Sequence, residues 1–292
     1  MTEHDWLAER FEAQRPHLRA IAYRMLGASG EADDAVQESW LRLSRAGSSG
    51  VENLGGWLTT VVGRVCLDML RSRKSRREEP FDDDLSGPPG GVAAAGDGSD
   101  PEAEAVLADS VGLALLVVLD TLTPAERLAF VLHDLFAVPF DEIAPIVGRS
   151  PDAARQLASR ARHRVRGPAT VSGADLARQR EVVGAFLAAS REGDFDALLA
   201  VLDPDVVRRA DIAGSPEVRG MTAVAEQALG HSGQPRFTRL AIVDGTVGVI
   251  VAPGGRLGMA LRFVIAHGSI VEIDVITDPA RLRRLDLAVL DA

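Results

Sequence analysis

A single cysteine, Cys66, stands among 292 residues. No intramolecular disulfide and no thiolate-clustered zinc site can be built from one thiol, which agrees with a reducing cytosol. Long apolar runs are missing as well. No stretch approaches the roughly 18 residues of a membrane span, and the opening MTEHDWLAERFEAQRPH has neither a basic n-region nor an apolar h-region. These absences lead us to expect a soluble, cytoplasmic chain with no membrane partner. Aromatic residues make up 4 %, and no Tyr or Trp follows Trp57 to orient a flat substrate. Positive charge is in deficit too, with a formal net charge of −10 and a pI of about 5.1. That deficit is local, because residues 80–110 hold eight acidic side chains and no basic one. The low pI therefore does not argue against a nucleic-acid partner.

The same acidic stretch divides the chain. Residues 80–106 combine Gly, Pro, Ser and Asp with few large apolar side chains, so burial cannot offset the entropy of ordering them, and they read as a linker. Before it, residues 1–79 show apolar residues at helical spacing, for example Val36, Trp40 and Leu43 at i, i+4 and i+7. After it, residues 107–167 are again helical. GPATVSGADL, around 168–177, reads as a short second linker. In 178–292 helices over 176–202 and 220–230 precede short β-prone runs punctuated by Asp244-Gly245, Pro253-Gly254-Gly255 and His267-Gly268, a hairpin pattern. The expected architecture is two all-α modules followed by an α+β domain with a mostly antiparallel sheet.

Against this acidic background, GRSPDAARQLASRARHRVRG at 148–167 carries six arginines. Ser150, Pro151 and Asp152 form a helix start: a hydroxyl cap, a proline with no amide to waste, and an acid at the positive dipole end. Ala154, Ala158, Ala161 and Val165 then share one face, and Arg155, Ser159, Arg162 and Arg166 share the other, flanked by Gln156, Arg160 and His163. FDEIAPIVG ahead of it supplies a partner helix ended by Gly148, with Arg149 and Ser150 in the turn. Helix, glycine turn and basic helix make a helix-turn-helix, whose second helix lies in the major groove of DNA. A solvated basic helix on an ordinary bundle has the same pattern. A second basic run, RSRKSRR at 71–77, continues a helix already carrying Arg64. The helix dipole accounts for one or two cations there but hardly five, so two helical modules each present a basic helix.

These segments resemble the extracytoplasmic-function group of bacterial RNA polymerase sigma factors. EADDAVQESWLRL is similar to the region-two helix that binds the polymerase clamp, and the resemblance assigns Asp33, Asp34, Gln37 and Glu38 to that contact. NLGGWLTTVVGRVCLDMLRSRKSRR resembles the segment that melts and reads the −10 element, which implies DNA roles for Trp57, Arg64, Arg71, Arg73 and Lys74. LTPAERLAFVLHDLFAVPFDEIAPIVGRSPDAARQLASRARHRVRG resembles region four. It implies that Arg149, Ser150, Arg155, Gln156, Ser159, Arg160, Arg162, His163 and Arg166 meet the −35 element. The implied partners are core RNA polymerase and promoter DNA, with no metal and no cofactor.

Residues 178–290 resemble the SnoaL-like, nuclear-transport-factor-2-like cone domain fused to a subset of these factors. APGGR and TDPARL match that subset's motifs, which marks Gly254, Gly255, Asp278, Pro279 and Leu282 as regulatory residues. A domain regulating in cis would remove the need for a separate anti-sigma factor. Ala252-Pro253 departs from the usual acidic-glycine pair, and EEPFDDDL replaces the usual Trp-Leu-Pro linker motif. The cone fold also hosts isomerases and cyclases, for which Asp211, His231, His267 and Asp274 are the candidate bases. No evident partner for either His speaks for catalysis, and we expect no enzyme. The alternative outside the sigma family is a ligand-responsive helix-turn-helix regulator acting at an operator without polymerase.

Overall fold

A computed structural model describes residues 3–46, 53–78, 112–166, 173–212, 214–230 and 237–290. The expected acidic linker, 80–106, lies outside the described residues, as does His231. Contacts gather into two compact units, Met1–Leu107 with Thr123–Ser159, and Ala108–Leu122 with Arg160–Ala292. The division follows packing and differs from the linker-based one, because one helix of the expected 107–167 module belongs to the second unit and another is shared.

In the first unit α1 (Glu3–Leu26), α2 (Ser29–Ala46) and α3 (Leu54–Glu78) pack pairwise. The apolar positions at helical spacing become the core: Phe11, Leu18, Ile21, Met25, Leu43, Leu58 and Leu67 are fully buried. The region-four segment follows. α4 (Leu113–Thr121) is apolar on nearly every side and buried accordingly; it belongs to the second unit. α5 (Pro124–Phe130) starts at a capping box, with the Thr123 hydroxyl accepting from the Glu126 amide and the Glu126 carboxylate accepting from the Thr123 amide. It runs on into a π-helical turn, Val131–Leu135. α6 (Phe140–Val147) and α7 (Pro151–Arg166) complete the module. α3 packs against α5 and α6 in this unit, with the Cβ-less Gly63 facing Leu128, Leu132 and Ile146.

The second unit is built on a seven-stranded sheet in the order β2-β1-β6-β5-β4-β3-β7. α8 (Gly173–Glu192) and α9 (Phe195–Val201) lead into β1 (Leu202–Ala210) and β2 (Val218–Arg219); α10 (Met221–Gly230) precedes β3 (Thr238–Val243), β4 (Thr246–Val251), β5 (Met259–Ala266) and β6 (Ser269–Ile276). A short α11 (Pro279–Leu282) and β7 (Leu287–Ala288) close the chain. All neighbouring strands pair antiparallel except β1 with β6. Val183, Phe186, Leu198, Val249, Phe263 and Ile273 form the core between helices and sheet. Asp244 and His267 take positive φ at the β3–β4 and β5–β6 turns, each followed by glycine, as tight hairpins require. Two expectations shift. The second linker is already helical from Gly173, and the single helix over 176–202 breaks after Glu192, where Asp194 caps α9 by accepting from the Ala197 amide at 2.9 Å. Gly248 is required by packing: a Cβ there would lie 2.6 Å from the Leu261 carbonyl oxygen.

Candidate nucleic-acid interface

The helix-turn-helix is present where the sequence places it. α6 ends because Gly148 adopts φ 68°, a left-handed conformation costly for any residue with a Cβ. The Arg149 amide then returns to the Ala144 carbonyl at 3.0 Å. Ser150 caps α7, its hydroxyl accepting from the Ala153 amide at 3.2 Å. Pro145 does not interrupt α6. Ala154, Ala158 and Ala161 are fully buried and Val165 nearly so. Arg149, Ser150, Arg155, Gln156, Ser159, Arg160, His163 and Arg166 are exposed, and Arg162 is half-buried. The helix therefore turns its small residues inward and its guanidinium face outward, a geometry suited to phosphate oxygens and guanine edges. Arg155 donates to the Asp152 carboxylate at 2.6 Å and lies over the Phe140 ring.

On α3, Arg64 and Arg71 are exposed and Trp57 is half-buried. Arg64 reaches the Pro145 carbonyl oxygen at 3.5 Å. Arg71 lies 4.0 Å from Asp68. Arg73 is engaged within the module: it pairs with Glu31 and donates to the Leu26 carbonyl at 3.2 Å. The Lys74 side chain lies outside the described residues. On α2, Asp33, Asp34 and Gln37 are exposed and Glu38 is half-buried. Asp33 binds Arg19 at 2.6 Å and Glu38 binds Arg42 at 2.9 Å.

The motifs of the last domain have local structural roles. Pro253–Gly255 is a 3-10 turn with Gly255 buried, and it packs against α4 within the second unit, as do β3 and β7. Asp278 caps α11, accepting from the Arg281 amide at 2.8 Å behind Pro279 at the first helical position, and Leu282 is buried. Asp211, at the end of β1, accepts from the Thr277 amide and hydroxyl at 2.7 and 2.8 Å and from the Asp278 amide at 3.2 Å. Arg281 bridges Asp211 at 3.2 Å and Asp274 at 3.0 Å. Burial alone would push the Asp211 carboxyl up, but these hydrogen bonds and the guanidinium outweigh it and hold it below the usual carboxylate range. Two of the four candidate bases are thus joined in one ion-pair network, while His267 sits exposed in a hairpin turn. Among the described residues no group of three or more His, Cys, Asp or Glu could hold a metal ion. None of their helices is long and apolar enough to cross a membrane.

Sequence reasoning missed Arg127, Phe140 and His133. Arg127 is buried and donates Nε to the Arg24 carbonyl at 3.1 Å. Phe140 stacks on His133 with centroids 3.8 Å apart. An apolar or charged residue in a helical pattern carries no sign of such long-range partners.

The chain thus carries a basic helix in each of its two helical segments, and both segments match known families. Residues 10–76 match Sigma-70 region 2 and residues 112–165 match Sigma-70, region 4. The chain is similar to the probable ECF RNA polymerase sigma factor SigI of Mycobacterium tuberculosis, 36 % identical over 97 % of both chains. It is also similar to the ECF RNA polymerase sigma factor SigJ of the same organism, 43 % identical over 86 % of this chain and 84 % of that one. A crystal structure of M. tuberculosis SigJ covers 94 % of this chain and 97 % of its own, at 36 % identity and a TM-score of 0.46. The chain belongs to the extracytoplasmic-function RNA polymerase sigma factors.

Proposed function

We propose that this sigma factor docks on core RNA polymerase through the exposed acidic face of α2, places α3 at the −10 element, and reads the −35 element with α7. The observation that carries this reading is the two-sided construction of α7, with alanines buried and arginines exposed. Family membership supplies the polymerase and the promoter as partners, and the operator-binding alternative has no observation in its favour. Reversing Asp33, Asp34 and Glu38 together tests the docking face. Core-polymerase binding should weaken and become less salt-sensitive; unchanged binding removes the assignment.

The C-terminal domain, in this reading, modulates the factor and does no chemistry. In support, the Val289 amide donates to the Val165 carbonyl at 2.9 Å, so the last turn of the −35-reading helix is tied to the end of the chain. α4 also rests on β3, β7 and the Pro253–Gly255 turn. A domain fastened to both ends of region four can bias its promoter binding without a separate anti-sigma factor. The engagement of Asp211 by three donors and a guanidinium suits a structural carboxylate better than a general base. Gly254, Gly255, Asp278, Pro279 and Leu282 then act by shaping this domain.

A further inference from the structure

The first helix of the helix-turn-helix opens with an aromatic ring that does not belong wholly to the core. Phe140 is half-buried. Its ring stacks on the His133 imidazole, with centroids 3.8 Å apart and planes inclined by 27°. The Arg155 guanidinium carbon lies 5.4 Å from the same ring's centroid. His133 is itself held, with Nδ1 3.0 Å from the Val138 carbonyl oxygen. It reaches the ring because the chain runs through the π-helical turn Val131–Leu135 and then reverses at Ala137, whose φ is 55°. Such turns and positive φ values at residues other than glycine are strained features that the surroundings must hold in place.

Arg155 is therefore constrained twice. Its guanidinium carbon lies 5.4 Å from the Phe140 ring centroid, and one Nη donates to Asp152 at 2.6 Å. Its side chain is still 60 % exposed. The other guanidinium donors hold no hydrogen bond among the described residues, and they form the edge available to a base. A long side chain gives up rotamer freedom when it binds bidentately, and a guanidinium already held by a ring and a carboxylate gives up less.

We propose that Phe140, supported by His133, is a positioning residue for −35 readout: it presets the plane and reach of the Arg155 guanidinium, so that Arg155 discriminates among bases instead of merely attracting phosphate. The inference rests on the reading of Arg155 as a base-contacting residue. Phe140 itself touches no DNA in this scheme; it acts through Arg155.

The test uses the full chain assembled with core polymerase and a panel of duplexes derived from a promoter that the wild-type holoenzyme selects, each with one −35 base pair changed. Arg155→Ala should abolish discrimination at one or two of those positions. Phe140→Leu and Phe140→Met should reduce discrimination at the same positions by about two- to fivefold, the size of an exposed cation–π contact, with the salt slope unchanged. Phe140→Tyr should restore it. In the Arg155→Ala background, Phe140→Leu should change discrimination no further. Full discrimination in Phe140→Leu or Phe140→Met beside a loss in Arg155→Ala makes Phe140 a packing residue only and overturns the inference. A uniform loss across all duplexes in both variants does the same. Full discrimination in Arg155→Ala overturns the base-reading role of Arg155 first, and the inference with it.

Discussion

Arg127 Nε donates to the carbonyl oxygen of Arg24 at 3.1 Å, joining a buried guanidinium of the region-four segment to the last turn of α1 in region two. The last turn of a helix leaves carbonyls without intrahelical partners. Arg73 serves another of them, at Leu26. Earlier on α3, Arg64 meets the Pro145 carbonyl, so α3 and α6 touch. The −10 and −35 elements lie about 25 base pairs apart, on the order of 85 Å along B-DNA at ~3.4 Å per pair. With α6 held against α3, α7 could not reach the −35 element while α3 lies at the −10 element, as the proposed roles require.

The two reading modules are therefore expected to separate during promoter binding. Fluorophores on Ser44→Cys and Glu142→Cys, both exposed positions, should show high energy transfer in the free protein. Transfer should fall when core polymerase and promoter DNA are added together, and unchanged transfer would count against the expectation. Arg127→Ala should open the free protein partly and cost about 1.5–3 kcal/mol in urea unfolding, the range for a hydrogen bond to a charged group.

Cys66 makes that labelling clean. The thiol is fully buried, and burial pushes it up to about 12 despite the nearby Arg127 guanidinium, which pulls the other way. Thiolate is the reactive form, so Cys66 should resist iodoacetamide at pH 8 in the native protein and react once urea unfolds it. Rapid alkylation of the folded chain would contradict the burial.

Asp211 should make the C-terminal unit sensitive to acid. Its folded pKa is depressed, so its contribution to stability is present above the unfolded carboxylate value and is lost as pH falls through the folded one. Asp211→Ala should strip the Thr277 and Asp278 donors of their acceptor and cost about 1–3 kcal/mol at neutral pH. The penalty should shrink as pH falls below the ordinary carboxylate range. Thermal unfolding midpoints across that range check both statements, and a penalty independent of pH would show that the carboxylate charge is not involved.

Ending the chain after Arg284 removes β7 and the Val289 amide that holds Val165. In the proposed mode of action this variant should bind core polymerase like the full chain while its promoter-specific transcription changes. Equal transcription from both proteins on every promoter tried would argue that the tie is structural only.

Much of this was legible in the residues. Ser150-Pro151-Asp152, the Gly148 stop and the alternation of alanine and arginine specify α7 through local rules: capping, fixed dihedrals and a period of 3.6 act within one or two turns. Asp244-Gly245 and His267-Gly268 specify hairpins in the same way, since a two-residue turn is chosen by the conformations its own residues tolerate. The matched order of two sigma modules gave the family. Tertiary structure alone decided the rest. α4 reads as the first helix of region four, yet its all-round apolar surface packs on the sheet of the last domain, because such a helix is buried wherever a large apolar face is offered. Arg73 and Arg127 look like any basic residues, but the unpaired carbonyls at the end of α1 claim them. Asp211 and Arg281 stand 70 positions apart, and Phe140 meets Arg155 across a turn. Local propensity cannot encode such partnerships; they exist only once the hydrophobic core has brought distant backbone segments within hydrogen-bonding reach.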